Sequence, residues 1–168
     1  MKVKNINIRF EEYENIGELP LDDQQLLENA KLAIDSSYAP YSAFHVGAAV
    51  LLDSGKVITG SNQENGAYPS GLCAERVALF HAKHQNPDAS IKVLAITAHA
   101  DHFNVDYPIT PCGACRQVIA EVQNRQTKPI RIILKGETGA VRIIEGIENL
   151  LPLMFKEEKL KRPNSKKK

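Results

Sequence analysis

Ile130-Arg131-Ile132-Ile133-Leu134-Lys135-Gly136-Glu137-Thr138-Gly139-Ala140-Val141-Arg142-Ile143-Ile144 decides how the sheet ends. Residues 130–134 and 140–144 are apolar, β-branched runs and read as strands. Five residues separate them. A parallel crossover takes about a dozen residues or more, so the two strands are antiparallel. The following segment, 147–155, reads as a short helix free to fold over a pocket mouth, with Pro152 near its end or at a kink.

Working back from that pair, residues 91–98 form a fully apolar strand suited to a sheet centre. Helices are expected over about 73–84 and 112–124. Residues 44–52, the turn Asp53-Ser54-Gly55-Lys56 and residues 57–59 read as a hairpin. Leu26, Leu27, Ala30, Ala33 and Ile34 fall at helical spacing within 21–35, with Asp22 and Asp23 favourable at its start. Near the N-terminus, Ile6, Ile8 and Phe10 alternate with Asn7 and Arg9, giving a short strand or ordered arm. Residues 11–20 then read as a connection. The pattern is α/β: a single three-layer α-β-α domain with a mixed five-stranded sheet, the last strand antiparallel. Its expected divisions are an extension over 1–20, the principal domain over 21–155 and a disordered basic tail over 156–168.

Composition narrows the class. The 168 residues suffice for one core, and a net charge of +1 provides no field for a nucleic-acid surface. No apolar run is long enough to span a bilayer, and no signal-peptide core follows Met1, so no membrane partner is expected. Three cysteines cannot all pair with one another, which points to a reducing, cytoplasmic setting.

Those cysteines carry the chemistry. Cys112 and Cys115 lie in Thr110-Pro111-Cys112-Gly113-Ala114-Cys115-Arg116, where a helix should begin. Cys73 lies in Leu72-Cys73-Ala74-Glu75-Arg76, opening another helix. Three thiolates can hold Zn²⁺ and leave its fourth position for water. Glu75 is then a base for that water's protons, and Arg76 can offset the thiolate charge. A structural zinc knuckle would need a histidine as fourth ligand, and a redox pair would leave Cys73 without a role.

With these residues in view, Cys-Ala-Glu-Arg followed by Pro-Cys-Gly-Ala-Cys-Arg-Gln resembles the zinc-dependent cytidine deaminases of free nucleosides. Tyr41-Ser42-Ala43-Phe44-His45-Val46-Gly47-Ala48-Ala49 is similar to that family's first core strand. Asn62-Gln63-Glu64-Asn65-Gly66-Ala67-Tyr68-Pro69 is similar to its ribose-binding loop, and Leu150-Leu151-Pro152-Leu153-Met154-Phe155 to its C-terminal segment. The resemblance spans about 21–155. It implies one Zn²⁺ per subunit on Cys73, Cys112 and Cys115, with Arg76 bonded to the thiolates and Glu75 as proton shuttle. It implies Asn62 and Glu64 on the ribose hydroxyls, Tyr68 lining the pocket, Phe44 packed on the pyrimidine and Ala74 among the substrate contacts. Phe155 would enter a neighbouring subunit's pocket in a homotetramer.

The implied reaction is deamination of cytidine and deoxycytidine to uridine and deoxyuridine, with release of ammonia, in pyrimidine salvage. Competing readings are a deaminase of a modified cytosine nucleoside such as blasticidin S, a nucleic-acid deaminase or RNA-binding protein invited by the basic tail, and a non-catalytic zinc module. The last leaves Glu75, Asn62 and Glu64 without a role. The near-neutral charge, and a pocket covered by 147–155, favour a free nucleoside over a polymer.

Overall fold

The computed structural model describes residues 1–156 and Leu160. Its elements are β1 (Glu11–Tyr13), α1 (Leu21–Ala33), β2 (Phe44–Leu52), β3 (Val57–Ser61), α2 (Ala74–Gln85), β4 (Ile91–Ala100), α3 (Gly113–Gln123), β5 (Arg131–Lys135) and β6 (Val141–Glu145). One sheet runs in the order β1-β6-β5-β4-β2-β3. β4 and β5 are parallel, joined through α3, and every other neighbouring pair is antiparallel. The five-residue connection thus makes β5 and β6 antiparallel, in agreement with the sequence reading.

Alternation along the strands builds two cores. Ala48, Val50, Leu94, Ile96, Ile132 and Leu134 face α2 and α3, meeting Ala78, Leu79, Ala82, Ile119 and Ala120. Ala49, Val93, Ala95, Ile133, Val141 and Ile143 face the other way, onto Leu26, Leu27 and Ala30 of α1. The layers are therefore α-β-α. On the α1 side, the Arg131 guanidinium meets both oxygens of the largely buried Asp23 carboxylate, at 2.6 and 2.7 Å. That two-point bond ties α1 to the sheet.

The strand count needs correcting from five to six. The added strand, β1, lies in the stretch read as a connection, whereas the alternating residues 5–10 are not in a strand. Ile6, Ile8 and Phe10 are all more than half exposed. β1 has no apolar alternation to announce it, because backbone pairing to β6 defines it (Glu11 opposite Ile143, Tyr13 opposite Val141). The Arg142 side chain reinforces this edge, meeting Glu12 Oε2 at 2.6 Å and lying 5.1 Å from the Phe10 ring centre.

The expected helix over 147–155 is also corrected. Only the single 3-10 turn Ile147–Asn149 forms. Pro152 disfavours helical backbone at Leu151. The segment instead lies against α3: Arg116 Nη1 donates to the Leu150 carbonyl at 2.9 Å, and Gln117 Nε2 to the Phe155 carbonyl at 3.0 Å. The expectation of a disordered tail falls on 157–159 and 161–168, outside the described residues. Among the described residues no helix is long and apolar enough to cross a membrane.

Candidate active site

Two glycines let helices lie close on the sheet. A side chain at Gly47 would run into the Ala30 carbonyl of α1, and one at Gly60 into the Ala78 nitrogen and Ala74 carbonyl of α2. The second contact presses the first turn of α2 onto β3. The N-cap of α2 is Cys73 and that of α3 is Cys112, and neither sulfur caps its own helix. Both turn instead to a shared point.

There, the sulfurs of Cys73, Cys112 and Cys115 all lie within 4.8 Å of one another. Cys73 and Cys112 are 3.8 Å apart, and Cys112 and Cys115 3.5 Å. Tetrahedral zinc with bonds of about 2.3 Å to sulfur places its ligands about 3.8 Å apart, so the triad fits the ion. The sulfurs also perturb one another. A hydrogen bond from Cys115 is the main influence holding the Cys73 thiol well below its usual range; burial opposes it, and Arg76 adds to it. The same bond, then burial, pushes Cys115 up. Arg76 Nη2 donates to the Gly71 carbonyl at 3.0 Å and reaches Cys73 Sγ at 3.9 Å. Its Nε is buried beside this cluster, without a hydrogen-bond partner among the described residues.

Glu75 is 4% exposed. Burial is the main cause raising its carboxyl above the ordinary 4.5, and the charge of Cys73 adds to the rise. A carboxyl raised in this way keeps its proton to higher pH than an ordinary one, which suits a general acid and base.

A cavity of about 710 Å³ opens beside these groups. Its wall includes Cys73, Cys112, Glu75, Arg76, Phe44, Asn62, Glu64 and Tyr68. Asn62 is almost fully buried: Oδ1 accepts from the Val46 N–H and Nδ2 donates to the Phe44 carbonyl, both at 2.8 Å. Glu64 accepts from the Tyr41 N–H at 2.9 Å and the Ser42 hydroxyl at 2.5 Å. The Ser42 bond is the first cause of a carboxyl held below its ordinary value. Phe44 stacks on Phe103 at 6.2 Å, and Tyr68 meets Tyr41 edge-on at 6.0 Å.

Three expected residues do not line the cavity. Cys115 is fully buried and joins the site through its sulfur. Ala74 is fully buried in the core beneath α2 and forms no part of the wall, because Gly60 draws that turn onto β3. Phe155 is 68% exposed and off its own chain's cavity, and nothing from 147–155 covers the mouth. That overturns the reading of a covered pocket, because the segment's hydrogen bonds go to α3. Tyr41, Ser42, Ile109 and Thr110 line the wall and were not assigned from sequence. Ile109 and Thr110 stand just ahead of Cys112, which was the available clue. Ser42 had none, since its role depends on Glu64, distant in sequence.

Comparison with known proteins agrees with this geometry. Residues 20–128 match the family described as the cytidine and deoxycytidylate deaminase zinc-binding region. A cytidine deaminase of Halalkalibacterium halodurans is 41% identical over 138 residues, covering 82% of this chain and 97% of the relative. One from Sporosarcina psychrophila is 39% identical, covering 83% and 96%. The crystal structure of cytidine deaminase from Burkholderia pseudomallei superposes with a TM-score of 0.68 at 38% identity, over 78% of this chain and 97% of that one. This chain belongs to the cytidine and deoxycytidylate deaminase family, and it is a zinc-binding hydrolytic deaminase.

Proposed function

We propose that this enzyme deaminates cytidine and deoxycytidine, yielding uridine or deoxyuridine and ammonia. One observation carries the reading: a single cavity gathers a metal-ligand triad, a buried carboxyl, an aromatic ring and a polar loop. The relatives' activity supports cytosine nucleosides as the substrate class.

Cys73, Cys112 and Cys115 would hold Zn²⁺, which supplies the Lewis acidity that makes water a nucleophile near neutral pH. Glu75 accepts a proton from the attacking water and delivers it to N3 of the pyrimidine, leaving C4 electrophilic. It then carries a second proton to the departing amine. Its burial, which raises its carboxyl above the ordinary carboxylate range, suits a group that must both take and give a proton. Arg76 offsets negative charge at Cys73. Asn62 and Glu64 receive the ribose hydroxyls with the hydrogen-bonding capacity that their bonds to residues 41–46 leave free. Phe44 packs on the base, and Tyr68 borders the sugar.

The exposed Phe155, off its own cavity, supports its insertion into an adjacent subunit of a homotetramer. Residues 21–155 act as the catalytic domain and 1–20 as an extension. Three free thiols suit a reducing cytoplasm.

The test is the ultraviolet absorbance change of cytidine incubated with zinc-loaded protein. Uridine and ammonia should form one to one. No change with zinc bound would overturn the substrate assignment and direct the search to modified cytosine nucleosides such as blasticidin S. A monomer in sedimentation would overturn the tetramer.

A further inference from the structure

A second group of metal-ligating side chains lies at the other end of the β2–β4 ladder from the hairpin turn. His45 and His99 are register partners on these antiparallel strands. Their rings stack with centres 6.2 Å apart. Asp101, two residues beyond His99, sends Oδ1 between them, 3.5 Å from His45 Nε2 and 3.6 Å from His99 Nε2. Its backbone N–H is fixed to the Ala43 carbonyl at 3.1 Å.

The other nitrogen of each ring is engaged as well. His45 Nδ1 is 2.7 Å from Ser37 Oγ, and His99 Nδ1 is 2.9 Å from Glu137 Oε1. The Glu137 carboxylate can only accept, so it holds a hydrogen on His99 Nδ1, whereas the Ser37 hydroxyl can donate to or accept from His45 Nδ1 and so suits His45 with or without a hydrogen there. An ion bound between the rings and Asp101 would take the place of any hydrogen on Nε2, with Nδ1 still held on each ring. That is how proteins orient histidines as metal ligands. A tetrahedral ion bonded to nitrogen and oxygen at about 2.0–2.1 Å spans about 3.3 Å between them, close to both His–Asp separations.

We propose that His45, His99 and Asp101 form a second divalent transition-metal site, separate from the three thiols, with Ser37 and Glu137 orienting its imidazoles. Unlike the sulfurs, its three ligand atoms are not all within 4.8 Å of one another. Metal capture therefore draws the two Nε2 atoms together, and the half-exposed His99 and Asp101 side chains have room to rotate. This donor set selects Zn²⁺, Co²⁺, Ni²⁺ or Cu²⁺ over Mg²⁺ and Ca²⁺. The bare alternative is a network of ion pairs that binds no metal.

Full-length protein carrying its first zinc is dialysed against rising free Zn²⁺, and metal per chain is counted by atomic emission. Wild type should advance from one equivalent to two. His99→Gln and Asp101→Asn should stop at one, with turnover at that first equivalent retained, which shows that they are folded. Glu137→Gln should still take a second equivalent, but with affinity weakened about 10–100-fold. A wild type that saturates at one equivalent overturns the site. So does a His99→Gln variant that still takes two, which would place the second ion elsewhere. Unchanged affinity in Glu137→Gln overturns its orienting role.

Discussion

Asn62 Nδ2 donates to the Phe44 carbonyl at 2.8 Å, on a strand 18 residues earlier in the chain. With Oδ1 on the Val46 N–H, the side chain takes the place of a strand neighbour where β3 ends. Asn62 thus holds in place the backbone that carries the aromatic wall, in addition to any contact with substrate. Asn62→Asp keeps the acceptor but sets a carboxylate oxygen against the Phe44 carbonyl. We expect a loss of about 1–3 kcal/mol of stability, with zinc retained. Urea unfolding together with metal analysis checks this. Unchanged stability would confine Asn62 to substrate binding.

Glu75→Gln should retain one zinc per chain while turnover falls by about 10²–10⁴-fold or more. The amide preserves the shape of a nearly buried side chain and removes its proton transfer. Single-turnover kinetics with metal analysis decide it. Near-normal turnover would sink the shuttle assignment.

Ser42 joins Glu64 and Phe44, two residues of the cavity wall. Its hydroxyl donates to Glu64, and its oxygen accepts from the Phe44 N–H at 3.1 Å. Ser42→Ala should raise KM about tenfold or more, the scale of one hydrogen bond to a charged group, with a smaller change in kcat. Initial-rate kinetics on cytidine separate the two constants. An unchanged KM would make the bond incidental.

The same bond has a consequence in acid. Because the folded Glu64 carboxyl is depressed, its contribution to stability is present above its unfolded value near 4.5 and is lost as pH falls through the lower folded value. Ser42→Ala removes the leading cause of that depression, so the contribution should be smaller and should disappear at higher pH. Thermal unfolding from about pH 6 to about pH 3 checks it. Superimposable pH profiles for variant and wild type would contradict this.

Gly60→Ala places a methyl against the backbone of α2. Overpacking of this kind costs about 1–3 kcal/mol. The strain falls on the turn that carries Cys73 and Glu75, so zinc should also leave the variant at a lower chelator concentration. A chelator titration beside urea unfolding tests both effects. Wild-type zinc retention would show that the turn is insensitive to this contact.

What the chain determines by itself is local or periodic. A five-residue connection forbids a crossover, so β5 and β6 must be antiparallel. Apolar alternation marks the buried strands, and a Cys-x-x-Cys opening a helix places two sulfurs on one side of its first turn. The tertiary structure decided what depends on partners distant in sequence. β1 forms through backbone bonds to β6, to which side-chain pattern is blind. The 147–155 segment goes to α3 because Arg116 and Gln117 meet its carbonyls there. Ala74 lies within the motif yet is buried, because a glycine on another strand draws its helix down. Periodicity records burial and short-range geometry. Which polar group satisfies which buried partner is fixed only when the sheet brings the two together.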